Sequence, residues 1–379
     1  MPKQETERRK ARAPLVVFTG GGTGGHVYPG LAVIKKLKGV WDGDILWVGS
    51  RGGVERGILA EAGIPYAGIP SGKLRRNFSL RNCTDAFCVL AGIFAAFFLF
   101  ARRRPCLVFS KGGYVSFPPV FAAWLLRVPV VAHESDLDPG LATLMACPFV
   151  RAVCVPYEES CGHFPVSFRG KLTVTGNPVR EEFFSGEAEE GRRLCGFSGD
   201  KPILLVLGGS LGARELNFLV RDSLDVLLAN WDVVHQTGAE YEALPQKGYF
   251  AARYFFSELP ALLAAASSVV SRAGAGSLWE FIAAQKPALL IPLRGEATRG
   301  DQVRNAALFE SLGAARVLSG KSIRPEEFTA ALSVLLKEEE REKMRGAIRL
   351  FAGTQGKDAA GLCADIILAF IRGEKSFES

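Results

Sequence analysis

Residues 15–33 read LVVFTGGGTGGHVYPGLAV, and this stretch decides the fold class. Residues 15–19 are a short apolar run typical of a buried strand. A glycine-rich turn follows at 20–26, and residues 29–38 have the pattern of a helix. The bare backbone N–H groups of such a turn, together with the helix N-terminus, can bind an anion. The stretch therefore predicts an α/β fold with a ligand at the carboxyl end of this strand.

The same pattern recurs along the chain. Further apolar runs end in polar or glycine-rich turns: ILWVGS (45–50), CLVFS (106–110), VPVVAHE (128–134), PILLVLGGS (202–210), WDVVHQTG (231–238), ASSVVSRAG (266–274) and PALLIPL (287–293). Alternating strands and helices predict parallel sheets, and 379 residues suffice for two domains. We predict two similar doubly wound domains. Their expected bounds are a basic arm at 1–13, an N-terminal domain at 14–180, a C-terminal domain at 181–354, and a final helix within 355–379 that packs back towards the N-terminal domain.

Composition restricts the class of protein and its partners. A hydrophobic content of 48% with 22% charged residues excludes a disordered chain. The net charge of +7 favours acidic partners, which include nucleic acid, anionic lipid and phosphorylated substrates. Eight cysteines without a CxxC pair indicate buried thiols in a reducing compartment rather than a zinc site or a disulfide scaffold. The first residues are polar and basic and lack the apolar stretch of a secretion signal.

One segment resembles a membrane span. Residues 86–101 read AFCVLAGIFAAFFLFA and are followed by Arg102, Arg103 and Arg104. These 16 residues fall short of the ~20 that cross the hydrocarbon core. A buried core helix, a helix docked on one leaflet with arginine anchors, and a true span remain alternatives. Arg75, Arg76 and Arg81 upstream add positive charge and favour the docked helix.

Five further motifs carry candidate chemistry. They are HESDLDPG (133–140), GNPVR (176–180), LGGSLGARELN (207–217), SRAGAGSLWE (271–280) and RGDQVRNA (299–306). Arg180, at the predicted domain junction, and Ser210 can bind phosphate, although Ser210 can also be a simple helix cap. Glu280 can accept hydrogen bonds from both hydroxyls of a ribose, and Gln302 from a sugar. His26, beside the first glycine turn, is a candidate general base or a packed helix-start residue.

Taken in order, these motifs resemble the MurG family of N-acetylglucosaminyltransferases over about residues 14–350. The resemblance implies a GT-B fold, in which two Rossmann-like domains face each other across a cleft. It implies inverting transfer of N-acetylglucosamine (GlcNAc) from UDP-GlcNAc to the muramic acid 4-hydroxyl of lipid I, which gives lipid II of peptidoglycan. It implies no cofactor and no nucleic acid. It also implies peripheral binding to anionic lipids of the inner, cytoplasmic leaflet through residues 75–104.

The resemblance further implies roles for individual residues. His26 corresponds to the family's proposed base. The other positions belong to the donor site: Thr23, Gly24 and Gly25 at the donor sugar or the acceptor diphosphate, Asp136 on the donor side, Arg180 and Ser210 at the UDP diphosphate, Phe256 with its backbone at uracil, Ala275, Gly276, Ser277, Leu278, Trp279 and Glu280 along the nucleotide with Glu280 on the ribose, and Gln302 at the GlcNAc hydroxyls.

Three positions depart from the family pattern. The family's HEQN reads HESD here, so Asp136 replaces an amide and can accept but not donate a hydrogen bond. The family's GGSQG has Leu211 in place of glutamine, and Asp301 lies directly beside Gln302. We expect these changes to affect sugar contacts and to leave phosphate and ribose contacts intact.

Other functions remain possible at this point. We recognise no Asp-x-Asp pair directly at a strand end, and therefore predict chemistry without a metal ion.

The first alternative function is that of a transferase of the same fold that acts on another lipid, such as diacylglycerol. A non-catalytic UDP-sugar-binding or scaffold protein and a sugar-nucleotide epimerase are the others. The complete GGGTGGHVYPG motif argues against the first, and the set His26, Arg180, Ser210 and Glu280 against the second.

Overall fold

The computed structural model describes residues 13–72, 81–209, 213–239, 241, 245–295, 300–320, 322–354 and 358–374. Its strands form two parallel sheets. The first sheet contains β1 Leu15–Thr19, β2 Asp44–Ser50, β3 Tyr66–Ile69, β4 Leu107–Ser110, β5 Val130–His133, β6 Ala152–Val155 and β7 Leu172–Val174. The second contains β8 Ile203–Leu207, β9 Asp232–Gln236, β10 Tyr249–Ala252, β11 Ser268–Ser271, β12 Ala288–Leu290 and β13 Ala315–Val317.

Both sheets are doubly wound. The strand orders are β3-β2-β1-β4-β5-β6-β7 and β10-β9-β8-β11-β12-β13, and neighbouring strands are parallel. The order reverses beside β1 and beside β8, and ligands of such sheets bind at these switch points. Both strands are buried along their length because they consist of β-branched and other large apolar residues. The prediction of two doubly wound α/β domains is therefore confirmed.

Helices cover both faces of each sheet. They are α1 Gly24–Lys38, α2 Glu55–Glu61, α3 Arg81–Arg103, α4 Phe117–Leu125, α5 Leu141–Ala146, α6 Ala188–Cys195, α7 Arg214–Asn230, α8 Leu259–Ala265, α9 Ala275–Ala283, α10 Asp301–Ser311, α11 Pro325–Leu335, α12 Glu338–Thr354 and α13 Ala359–Arg372. The sequence analysis overlooked β3, β6, β7, β10 and β13. Each of these strands has only three or four residues, which leaves little pattern to recognise.

The last helix packs against the first domain. Cys363, Ala364 and Ile367 of α13 are buried in one core with Val16 and Phe18 of β1. The side chain of Asp358 caps α13 by accepting the Gly361 N–H at 2.9 Å, and it also pairs with Lys36 at 3.0 Å. The helix therefore ties the end of the described chain to the domain that begins it.

This packing predicts the stability of two α13 variants. Ile367 is fully buried, whereas Leu362 on the same helix is 41% exposed. Ile367→Ala should lower the free energy of unfolding by about 2–5 kcal/mol because it leaves a cavity. Leu362→Ala should change it by less than about 1 kcal/mol. Chemical denaturation of both variants checks this, and equal effects would contradict the packing of α13.

Candidate active site

A cleft of about 440 Å³ lies between the two domains at the switch points of both sheets. The N-terminal domain contributes Thr23, Gly24, Gly25, His26, Tyr28 and Asp136 to its lining. The C-terminal side contributes Gly209, Gln236, Phe256, Ala275, Gly276, Ser277, Glu280, Asp301 and Gln302, and Arg180 lies at the junction. The structure thus brings most of the sequence-predicted residues together. Ser210 and Leu211 lie outside the described residues.

A second cavity of about 310 Å³ adjoins the cleft within the N-terminal domain. Two glycine turns, at Gly21–Gly22 and Gly112–Gly113, form part of its wall, and Phe117, Leu141 and Met145 give it an apolar part. Thr23, His26 and Asp136 line both cavities. A group held in the second cavity therefore shares these residues with a group held in the cleft.

His26 has a defined orientation. Its Nδ1 lies 3.1 Å from the carbonyl oxygen of Lys111. A carbonyl can only accept, so Nδ1 carries a proton, and in the neutral form of the ring the lone pair is at Nε2. This is the tautomer that a general base needs on the side of the ring away from Lys111.

Lys111 itself lies in a buried polar network that the sequence analysis missed. Its ammonium group donates to Ser135 Oγ at 2.8 Å and to His133 Nδ1 at 2.6 Å. His133 Nε2 in turn donates to the Gly176 carbonyl at 3.0 Å. Burial lowers the pKa of Lys111 to about 8 and holds the pKa of His133 well below its usual value. His133 is therefore neutral, with its proton on Nε2.

The first glycine turn is less open than the sequence suggested. The N–H of Gly22 donates to the buried carboxylate of Glu55 at 3.2 Å. This N–H was expected to be available for a ligand, and the structure shows that it is already hydrogen-bonded within the protein. Gly22 has a φ of +89°, a conformation that glycine adopts without strain. The turn shapes the wall of the second cavity with one of its amides already bonded.

Arg180 lines the cleft and brings a positively charged guanidinium group to it. Its guanidinium group lies 4.8 Å from the ring centres of both Tyr28 and Phe183. Its Nε is buried and has no hydrogen-bond acceptor among the described residues. A buried N–H without an acceptor is costly, and an anionic ligand in the cleft would supply one.

Glu280 lies one turn into α9, whose N-terminus faces the cleft. Burial raises the pKa of Glu280 to about 7, and the Arg180 charge opposes that shift. Ala275, Gly276 and Ser277 also line the cleft, as the resemblance implied. Leu278 and Trp279 do not present their side chains to the cleft, because helical geometry turns both into the core. Trp279 Nε1 donates there to the Tyr157 hydroxyl at 2.8 Å.

The remaining predicted residues have partners within the protein. The N–H of Phe256 donates to Glu258 at 3.0 Å, and Gln302 Oε1 accepts the N–H of Leu293 at 2.9 Å. Gln236, which the sequence analysis did not single out, links the Gly209 carbonyl to the Phe255 N–H at 3.1 and 3.2 Å. It connects the second glycine turn to the segment that precedes Phe256.

Asp136 lines the cleft and also forms a contact between the domains. Its Oδ1 accepts from Asn305 Nδ2 at 3.1 Å, and Asn305 Oδ1 accepts the Leu137 N–H at 3.1 Å. Asp138, which completes an Asp-x-Asp pair that the sequence analysis overlooked, is paired with His163 and Arg304. Within the described ranges, no group of three or more His, Cys, Asp or Glu is placed to hold a metal ion.

Comparison with known proteins identifies the family. The glycosyltransferase family 28 N-terminal domain matches residues 16–155, and the corresponding C-terminal domain matches residues 203–360. A UDP-N-acetylglucosamine–N-acetylmuramyl-(pentapeptide) pyrophosphoryl-undecaprenol N-acetylglucosamine transferase of Treponema denticola is 41% identical over 94% of this chain and 97% of its own length. The protein of the same name from Geobacillus thermodenitrificans is 46% identical over 86% of this chain and 92% of its own.

Solved structures agree with this. The crystal structure of Acinetobacter baumannii MurG has a TM-score of 0.70 and 25% identity, and the match covers 94% of this chain and 99% of that one. A Listeria monocytogenes structure described as a UDP-N-acetylglucosamine 2-epimerase has a TM-score of 0.68 over 97% of this chain and 99% of that one, but at 14% identity it shows the fold alone. The chain has the GT-B fold and belongs to the MurG family of glycosyltransferases.

Proposed function

We propose that this chain transfers GlcNAc from UDP-GlcNAc to the muramic acid 4-hydroxyl of lipid I, with inversion at the anomeric carbon. The observation that carries the proposal is the interdomain cleft, in which His26 and Arg180 both line the same space. The names of the relatives supply the identity of the substrates. The test is to supply UDP-GlcNAc with and without a lipid I analogue and to look for the disaccharide product.

The second cavity is proposed as the acceptor site. It adjoins the cleft through Thr23, His26 and Asp136, so a hydroxyl held there can reach a donor sugar in the cleft. Its glycine turns suit the diphosphate of lipid I, and its apolar part suits the first units of the lipid chain.

Each chemical step can be assigned to residues of this chain. The acceptor oxygen bonds to the anomeric carbon while His26 Nε2 takes its proton, and the bond from that carbon to the UDP oxygen breaks. The electron pair leaves on the β-phosphate, where Arg180 and the N-terminus of α9 stabilise the growing charge. We propose that this step needs no metal ion, since these groups supply the positive potential.

Membrane association is proposed through one face of α3. The helix has 23 residues, and the segment Thr84–Arg103 is long and apolar enough to cross a membrane, so the length argument from sequence does not hold. Packing argues against a span, because Val89, Ala96 and Phe100 are buried in the protein. The opposite face exposes large apolar side chains: Phe87 74%, Leu90 53%, Phe94 63% and Phe98 68%. Exposed Arg102–Arg104 follow, which suits an anionic leaflet.

Arg180→Ala should raise the KM for UDP-GlcNAc and lower kcat by about 100-fold, because the leaving-group charge grows in the transition state. Steady-state kinetics with varied donor measures this. Arg193→Ala, at an arginine with 80% of its side chain exposed, is the control and should leave the kinetics unchanged. Unchanged donor kinetics in Arg180→Ala would remove Arg180 from the diphosphate site.

The pKa of Glu280 predicts a pH-dependent donor affinity. Below a pKa of about 7 the carboxyl is protonated, and above it the carboxylate accepts both ribose hydroxyls more strongly. UDP-GlcNAc should therefore bind more tightly as the pH rises from 6 to 8, and its doubly esterified diphosphate does not titrate in that range. Glu280→Gln should bind about 1–3 kcal/mol more weakly at pH 8 and lose the pH dependence. Calorimetry checks this, and a wild-type affinity independent of pH would contradict the assignment.

The double substitution Phe94→Ser with Phe98→Ser should reduce binding to anionic liposomes at least about tenfold. Its melting temperature and its turnover of a water-soluble acceptor should be unchanged, because both side chains are exposed. Phe100→Ser is the matched control at a residue only 1% exposed, and it should lower the melting temperature sharply. Phe97 packs partly against the core, so it is not part of the test. Liposome binding that persists in the double variant would place the docking surface elsewhere.

A further inference from the structure

A buried carboxylate lies behind the first glycine turn. Glu55 is the first residue of α2, and its side chain is fully buried. One oxygen accepts the N–H of Ser50 at 2.9 Å and its hydroxyl at 2.5 Å, and the other accepts the N–H of Gly22 at 3.2 Å. Glu55 thus joins the end of β2 to the turn that follows β1.

The surrounding glycines leave space for this carboxylate. A Cβ on Gly21 would lie 2.6 Å from the carboxylate carbon of Glu55, and one on Gly49 would lie 3.0 Å from its Cγ. A Cβ on Gly53 would overlap both carboxylate oxygens. Part of the glycine content around the turn is therefore needed for Glu55 and not for a ligand.

We infer that Glu55 is a positioning residue, which sets the path of residues 20–23 and thereby places Thr23 and His26. Glu55 is absent from the lining of both cavities, whereas Thr23 and His26 line both. It acts through the turn, since Gly22 is one residue from Thr23 and α1 begins at Gly24. The catalytic consequence rests on the proposed function; the structural role does not.

The chemistry of the contact requires a carboxylate. Glu55 receives three hydrogen bonds and donates none, which an ionised carboxylate alone among side chains of this length satisfies. A glutamine could still accept from Ser50 with its oxygen. Its NH₂ group would then face the N–H of Gly22, and two donors would oppose each other in a buried site.

Glu55→Gln tests this with Glu61→Gln as the control, since Glu61 lies on the same helix and is exposed. We expect Glu55→Gln to lower kcat and raise the acceptor KM, with a combined loss of at least tenfold in kcat/KM. UDP affinity by calorimetry should change less than twofold, since the residues proposed to bind UDP lie outside the turn at residues 20–23. Glu61→Gln should match the wild type in all three. Equal losses of UDP affinity and turnover would mean general destabilisation and would overturn the proposal.

Hydrogen exchange provides a readout that is independent of turnover. Amides of the peptide that covers residues 20–26 should exchange faster in Glu55→Gln than in the wild type, with β8 and α9 unchanged. Ser50→Ala, which removes one of the three hydrogen bonds, should give a smaller increase in the same peptide and serves if Glu55→Gln does not fold. Unchanged exchange in that peptide would refute the positioning role. If the wild type transfers no sugar, the proposed function fails, while the exchange result still decides the role of Glu55.

Discussion

The arrangement of the cleft depends on the hydrogen bonds that the buried ammonium group of Lys111 donates to His133 and Ser135. Through His133 and Ser135 it reaches Gly176 and Asn177, the segment that leads from the first domain to the second. The carbonyl of the same residue fixes the His26 ring. A buried cation without a carboxylate partner among the described residues is stable only if its hydrogen bonds are satisfied, so this geometry tolerates little displacement. Lys111 therefore fixes the orientation of the proposed base, His26, and also the position of the segment at which the domain connection begins.

The two domains are held together by contacts that involve the donor-side helices. Trp279 of α9 bonds to Tyr157 of the N-terminal domain, and Asn305 of α10 bonds to Asp136 and to the Leu137 N–H. Gly176 has a φ of +78°, and a Cβ there would lie 3.1 Å from the Trp279 ring. The helices that carry Glu280 and Gln302 are thus tied to the domain that carries His26. Changes at these contacts would alter the distance between the two halves of the site.

Much of the site could be predicted from sequence, because the turns that follow parallel strands all lie at the same edge of the sheet. His26, Arg180 and Glu280 follow different strands, yet they line one cleft. The burial of the Leu278 and Trp279 side chains was not predicted, because a motif taken as a unit ignores which side of a helix each residue faces. The contact of Asp136 with Asn305 was not predicted, because the two residues are 169 positions apart and lie in different domains. Lys111 and Glu55 escaped notice for the same reason, since burial of a charged residue depends on tertiary contacts.

The two sides of the cleft carry different charged and polar groups. In the N-terminal domain the carboxylate of Glu55 accepts an N–H of the first glycine turn, and the imidazole of His26 faces the cleft. At the domain junction Arg180 presents a guanidinium whose buried Nε has no hydrogen-bond acceptor among the described residues. In the proposed mechanism, the leaving diphosphate lies beside Arg180 and the N-terminus of α9, which stabilise its charge, and the proton is accepted on the His26 side. Inversion requires the attacking oxygen and the leaving group to lie on opposite faces of the anomeric carbon, and the proposed positions of the base and of Arg180 in one cleft are consistent with that requirement.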